Sequence, residues 1–526
     1  MKQLLPQKYH NYIYIFALIL LVVGMPVSKF FMSLSQFILI GNWVFEGDLK
    51  NKLQSFFKNK VALVLTSVLV LHVLGLLFTD DFAYANNDLR IKLPLVILPL
   101  VIATSNPLSR KQIDLILYFF VAAVVFGSMV SIMVLNGWIN KPVVDIRDIS
   151  IFISHIRFAL LICCAIFVCI YFIRRSIAAH WKLLFTITAV WLFVFLFILQ
   201  SMTGVAILII ATGVWGFMYL WKTKKIIWRV LTILVVLVSF SSLIWFINTI
   251  KNIQSHQQKP AATEMLAATE RGNPYQHDAN GTLQENGHFI WINVCDKELE
   301  EAWSKRSEFK FWEGDSKGNP LRYTLIRFLA SKGLNKDWNG VMALSSTEIK
   351  AIERGVPNVN YQNISGLQSR VLQTFWEIDM YKSTGDANGH SLTQRFEYWI
   401  ASWNIIKNNL LFGVGTGDLE QELFKQYDQM NSKLSIEYRL HPHNQFLSIM
   451  LCFGIIGLIW FLFSLFYPMF AYKKYSDYLY VAFIVIAVCS FFTEDTLETQ
   501  AGVTFYTFLN SFLLFVDRDK QGTTIE

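Results

Sequence analysis

Charged side chains are scarce in this chain of 526 residues: Asp, Glu, Lys and Arg together make up 16%, against 54% hydrophobic and 15% aromatic residues. Soluble globular proteins carry about a quarter. A soluble core of this length has no room for so much apolar surface, so most of it must meet lipid. Cysteine is equally sparse. Of the six, Cys163, Cys164, Cys169, Cys452 and Cys489 lie inside apolar runs and Cys295 stands alone in the polar part, which excludes a disulfide framework or a zinc cluster. The small-residue cleavage site of a signal peptide is missing after the first apolar run, so that run is expected to persist as a helix. The net charge is +8, yet the basic residues are scattered between apolar runs instead of forming one face. That excludes a nucleic-acid partner and makes the basic residues topology determinants.

Apolar runs near 11–28, 30–46, 60–79, 92–106, 112–136, 156–173, 182–200, 203–221, 227–249, 445–468, 477–492 and 500–516 approach the length of about 20 residues that a bilayer-crossing helix needs. The second is short, and the fourth is short and interrupted by Pro94 and Pro99. Alternate connections carry nineteen lysines and arginines, among them Lys50, Lys52, Arg174, Arg175, Lys473 and Lys474; the opposite short ones carry only Lys29, Arg90, Lys92, Lys141, Arg147 and Arg157. By the positive-inside rule both termini are cytoplasmic and the segment from about 250 to 440 lies outside. The expected fold is an all-α integral membrane protein of about 12 transmembrane helices with one large, mainly helical periplasmic insertion before the tenth span. Residues 1–249 would carry nine spans, 250–444 a cap with the chemistry, and 445–526 the last three spans. Within the insertion, HFIWINV (288–294) has the pattern of a strand, and 321–334, 366–381 and 392–408 have apolar residues at helical spacing.

The stretch 394–447 gathers polar and aromatic residues at the lip of a span. Arg395, Trp399 and Trp403 follow one another at four-residue spacing and share a helix face. A guanidinium beside indoles suits a phosphate- or sugar-bearing ligand, and equally the aromatic packing of an interfacial helix. GVGTGD (413–418) has the look of a phosphate loop, but it follows a helix and faces the outside, so it reads as a tight turn opening the next helix. His441 and His443 precede the tenth span. No Asp, Glu or Cys falls near them at a familiar metal-ligand spacing, which leaves an imidazole able to accept a proton from a hydroxyl, or a histidine satisfied at a helix start. Glu494 and Glu498 stand one turn apart if helical, as a pair serving His443 or Arg395 or as solvated loop charge.

The segment from Arg395 to Trp399 running into LLFGVGTGD, His443-Asn444 with Leu447 leading into FGIIGL, and TEDTLETQAG (493–502) resemble the O-antigen ligase and O-antigen polymerase family of surface-polysaccharide enzymes. The first nine spans match mainly in topology. The resemblance implies an inner-membrane glycosyltransferase that moves a glycan from an undecaprenyl diphosphate carrier to a hydroxyl, without metal, nucleotide or other cofactor and with inversion. His443 would be the catalytic histidine, with His441 the alternative should the register slip by two. Arg395 would bind the diphosphate. Many members carry another arginine before the eighth span; here that turn reads QSMTG (200–204), so a second diphosphate ligand would come from Arg157 or Arg147. Arg90 and Lys92 would add charge to the same cavity or anchor lipid headgroups. Trp399, Asn444, Glu494 and Glu498 would meet the glycan or acceptor. The acceptor stays open between lipid A-core, a second lipid-linked unit and a protein hydroxyl. A secondary transporter and a structural scaffold are the readings from other classes, and neither would depend on Arg395 or His443.

Overall fold

The computed structural model describes residues 5–222 except 142 and 144, the isolated positions 227, 230, 233 and 241, and residues 260–362 and 366–517. These fall into two compact units. One comprises 1–139, 149–232 and 394–526, the other 140–148 and 233–393.

The regular structure of the first unit is helical among the described residues, as lipid requires of a chain whose backbone groups must be satisfied within the segment. Among the described residues six helices are long and apolar enough to cross a membrane: Gln7–Val27, Lys60–Phe78, Arg110–Leu135, His155–Arg175, Ala179–Ile198 and Gln445–Ala471, with Met202–Met218 and Tyr478–Thr493 as shorter apolar helices. This is a multi-pass membrane protein. The expected runs at 30–46 and 500–516 are the helices Lys29–Phe45 and Gln500–Phe515. The run at 92–106 is broken. Lys92 ends one helix, Phe82–Lys92, and Pro94 opens an 11-residue helix, Pro94–Thr104, because proline at a first helical position loses no intrahelical bond. The run at 227–249 lies outside the described residues, apart from the isolated positions named above. Gln500–Phe515 is the enclosed helix: every residue from Ala501 to Phe512 is buried, and it packs on Pro94–Thr104.

Gln445–Ala471 is not continuous. Gly454 has φ 62° and ψ −162°, which breaks the hydrogen-bond ladder within the apolar run. The liberated carbonyls of Leu451 and Cys452 accept from the amides of Val414 (2.9 Å) and Gly415 (2.9 Å), while the amide of Ile455 donates to the carbonyl of Leu410 (2.8 Å). GVGTGD, expected as a simple turn, is therefore a backbone plug seated in the break. Glycine is required on both sides of this contact. A Cβ on Gly413 would stand 2.3 Å from the Leu451 carbonyl oxygen, and one on Gly454 would stand 2.3 Å from Leu411. The same segment is fixed to the end of Lys60–Phe78: Thr416 Oγ1 donates to the His72 carbonyl (2.6 Å), and the Gly417 amide donates to Thr79 Oγ1 (3.1 Å).

The second unit has a soluble-type core, with Trp303, Phe328, Leu329, Ile326 and Ile352 buried together. Its helices include Asp296–Ser304, Leu321–Ser331, Ser346–Glu353 and Gly366–Thr384. The expected strand at 288–294 is confined to His288–Phe289, paired antiparallel with Gln284–Glu285. Asn286 and Gly287, at φ 51° and 87°, make the left-handed turn that joins the two.

Candidate active site

Asn444 caps the Gln445–Ala471 helix, its Oδ1 accepting from the amides of Phe446 (3.0 Å) and Leu447 (3.2 Å). His443 precedes it in a left-handed conformation, φ 48°. The buried Asp495 carboxylate holds this unusual backbone, accepting from the amides of His443 (2.6 Å) and Asn444 (2.9 Å) and from Ser448 Oγ (2.7 Å). The imidazole is thus directed by the backbone rather than left to swing.

Glu494, next to Asp495, joins two of the expected site residues. Its Oε1 accepts from Arg395 Nη2 at 2.9 Å and its Oε2 lies 3.3 Å from His443 Nδ1. Burial pushes the Glu494 carboxyl up, but the His443 hydrogen bond and the nearby His443, Arg395 and Arg157 charges outweigh it and hold the carboxyl below the usual range. An ionised carboxylate only accepts. His443 Nδ1 therefore carries a proton, and in the neutral imidazole it is Nε2 that presents a lone pair. The Tyr398 ring stacks on the imidazole at 5.8 Å between centroids, and Tyr398 Oη donates to the Tyr438 carbonyl (2.7 Å). Trp399 Nε1 donates to the Pro442 carbonyl at 2.9 Å, tying the Ser391–Asn408 helix to the residue before His443.

Arg157 opens the His155–Arg175 helix, half-buried, with no hydrogen-bond or ion-pair partner among the described residues, while its charge bears on Glu494. Arg395 and Arg157 against a single Glu494 leave a surplus positive charge. Arg147 lies in the other unit, where Asp145 engages its guanidinium through Nε (2.8 Å) and Nη2 (2.6 Å). His441 turns to a different neighbour, its Nε2 3.3 Å from Tyr84 Oη.

Glu494 and Glu498 do not act as a pair. Glu494 is extended (φ −150°, ψ 151°) and Thr496–Glu498 form a 3-10 turn, so the two carboxylates face different partners. Glu498 Oε2 accepts from Lys92 Nζ at 2.6 Å and its Oε1 accepts from Gln445 Nε2 at 3.1 Å. Lys92 also donates to Asp88 one helical turn earlier, and Asp88 Oδ2 stands 3.2 Å from His72 Nδ1. Burial acts to raise the Asp88 carboxyl, but Lys92 and His72 bring it well below the carboxylate range. Lys92 is fully enclosed, so it is not a headgroup anchor. The Asp88–Lys92–Glu498 cluster escaped the sequence reading; its only trace was the four-residue spacing of Asp88 and Lys92 before Pro94.

Residues 341–462 match the family model described as O-antigen ligase. That stretch is similar to the O-antigen ligase family. The match runs through Arg395, Trp399, the glycine plug, His441, His443 and the break at Gly454, and it ends before the carboxylates Glu494, Asp495 and Glu498 that hold those residues in place. The residues that resemble the family are thus held in place by a connection outside the matched stretch. No curated protein matches the chain.

Proposed function

We propose that the protein transfers a glycan from an undecaprenyl diphosphate carrier to a hydroxyl acceptor at the periplasmic face of the inner membrane, lipid A-core being the favoured acceptor. One observation carries the reading: a single carboxylate, Glu494, ties the Arg395 guanidinium to the His443 imidazole beside a second arginine, Arg157, that is unengaged among the described residues. Two cations facing one carboxylate leave a place for an anion, and a diphosphate binds such forks through its oxygens. His443 Nε2 takes the proton of the acceptor hydroxyl as its oxygen attacks the anomeric carbon. The bond from that carbon to the diphosphate oxygen breaks, and the electron pair leaves on a diphosphate whose growing charge Arg395 and Arg157 stabilise. A single displacement inverts the anomeric centre.

Reconstitution with purified lipid-linked glycan tests this, with lipid A-core, a second lipid-linked unit and a hydroxyl-bearing peptide as separate acceptor arms. The acceptor that is extended decides between ligase, polymerase and protein glycosylation. His443→Asn is expected to lower transfer about 100-fold or more, and Arg395→Gln by a similar factor through loss of diphosphate stabilisation. Wild-type rates in either variant would overturn the reading.

A further inference from the structure

We propose that Lys92 is a positioning residue for the transfer reaction, acting from the far end of the segment that carries Glu494. From Glu494 to Glu498 nearly every residue is stitched to the start of the Gln445–Ala471 helix. Glu494 meets His443, Asp495 holds the amides of His443 and Asn444, the Leu497 amide donates to Gln445 Oε1 (2.7 Å), and Glu498 accepts from Gln445. Thr496 is tied back to Ser490, hydroxyl to hydroxyl, at 2.5 Å. The only full charge holding the Glu498 end among the described residues is Lys92, wholly enclosed and shared with Asp88. The helix bearing Lys92 meets the other end of the histidine segment as well, through Tyr84 and His441. Phe82–Lys92 therefore braces His441 to Gln445 from both ends, and the left-handed turn at His443 lies between the braces.

The chemistry of the cluster supplies a signature. Lys92→Met keeps the length of the side chain and removes its charge, which leaves Asp88 with His72 and Glu498 with the Gln445 amide, both without their cation. Enclosed carboxylates that lose a cation favour their neutral, protonated form. The other titratable groups facing them are His72 on Lys60–Leu74, Tyr84 on the Lys92 helix and Cys452 on Gln445–Ala471.

The inference rests on the transfer reaction above for its kinetic arm, and a second arm is independent of it. In detergent-solubilised full-length protein, amide exchange at His443 and Asn444 is expected to be about tenfold faster in Lys92→Met than in wild type, as their acceptor Asp495 loses its brace. Unchanged exchange overturns the proposal whatever the rates show. In the transfer assay Lys92→Met is expected to lower kcat about tenfold or more while the donor KM stays within about threefold, since small misplacements at a distance act on the reacting geometry. Adding Glu498→Gln should restore part of the loss, and the rate relative to wild type should climb as pH falls from about 8 to about 5.5. A loss that neither change relieves means a generally disordered fold and overturns the positioning role. Should Lys92→Met fail to fold, Glu498→Gln alone, with Lys92 still paired to Asp88, must move exchange and kcat in the same directions by a few-fold; wild-type values for both overturn the proposal. Full activity in His443→Asn would instead sink the reaction while leaving the exchange result standing.

Discussion

Two clusters in the membrane unit are built from the same three side-chain types, a base, a carboxylate and an imidazole, and they differ in exposure and in charge balance. Around Lys92, two carboxylates meet one ammonium and the lysine has no exposed surface; around Glu494, two guanidiniums compete for one carboxylate and the His443 side chain is 31% exposed. A closed cluster, whose one ammonium is shared by two carboxylates and shows no surface, offers nothing to a ligand, and its worth is in geometry. An open one with surplus positive charge is ready for an anion. The comparison teaches that the composition of a polar cluster says less about its role than which charge is left over.

The sharpest way to break that comparison is to disarm one member of each cluster. Lys92→Met strands buried carboxylates and should cost about 3–5 kcal/mol of stability, read as a lowered melting temperature in detergent. His443→Asn should leave the melting temperature nearly unchanged and remove activity. If both variants behave alike, the distinction between the clusters is lost. Next in size is Gly413→Ala, which places a methyl 2.3 Å from the Leu451 carbonyl at φ 69°. A non-glycine residue in that conformation alone costs about 1–2 kcal/mol, and the overlap adds to it, so the yield of folded protein should fall sharply.

Glu494→Gln sharpens the comparison through pH. The folded Glu494 carboxyl lies below its ordinary value, so its contribution is present above the unfolded pKa and is lost as pH falls through the folded one. The stability gap between wild type and Glu494→Gln, about 1–2 kcal/mol for a charged hydrogen bond, should hold steady from about pH 8 to about pH 5 and close below roughly pH 4. A gap that closes above pH 6 would contradict the bridge. The smallest effect expected is that of Trp399→Phe, which forfeits one indole hydrogen bond to Pro442 worth about 1 kcal/mol. A much larger loss of transfer would place the ring against the glycan.

Local pattern carried much of this. Apolar runs announced the long helices, and the residues from Arg395 to His443 were singled out by type and order. What the chain could not announce was pairing across hundreds of positions. Lys92 at the edge of an apolar run looks like an anchor until Glu498, 406 residues later, is seen to hold it. Glu494 and Glu498 suggested one helical face because four-residue spacing does so by default, whereas the chain extends at Glu494 and turns at Thr496. GVGTGD suggested a turn because nothing local reveals that Gly454 breaks a helix to receive it. HFIWINV is rich in β-branched and aromatic residues like a strand, yet Asn293, at φ 53°, bends it out of the extended form.

The left-handed backbone at His443 carries a genetic consequence. Asparagine is among the few side chains that enter this conformation at little cost, and its codons differ from those of histidine only at the first base. The mutation easiest for the backbone to absorb is therefore also one that takes away the imidazole. On the proposed reaction such a protein would insert, fold and bind the donor without turning it over.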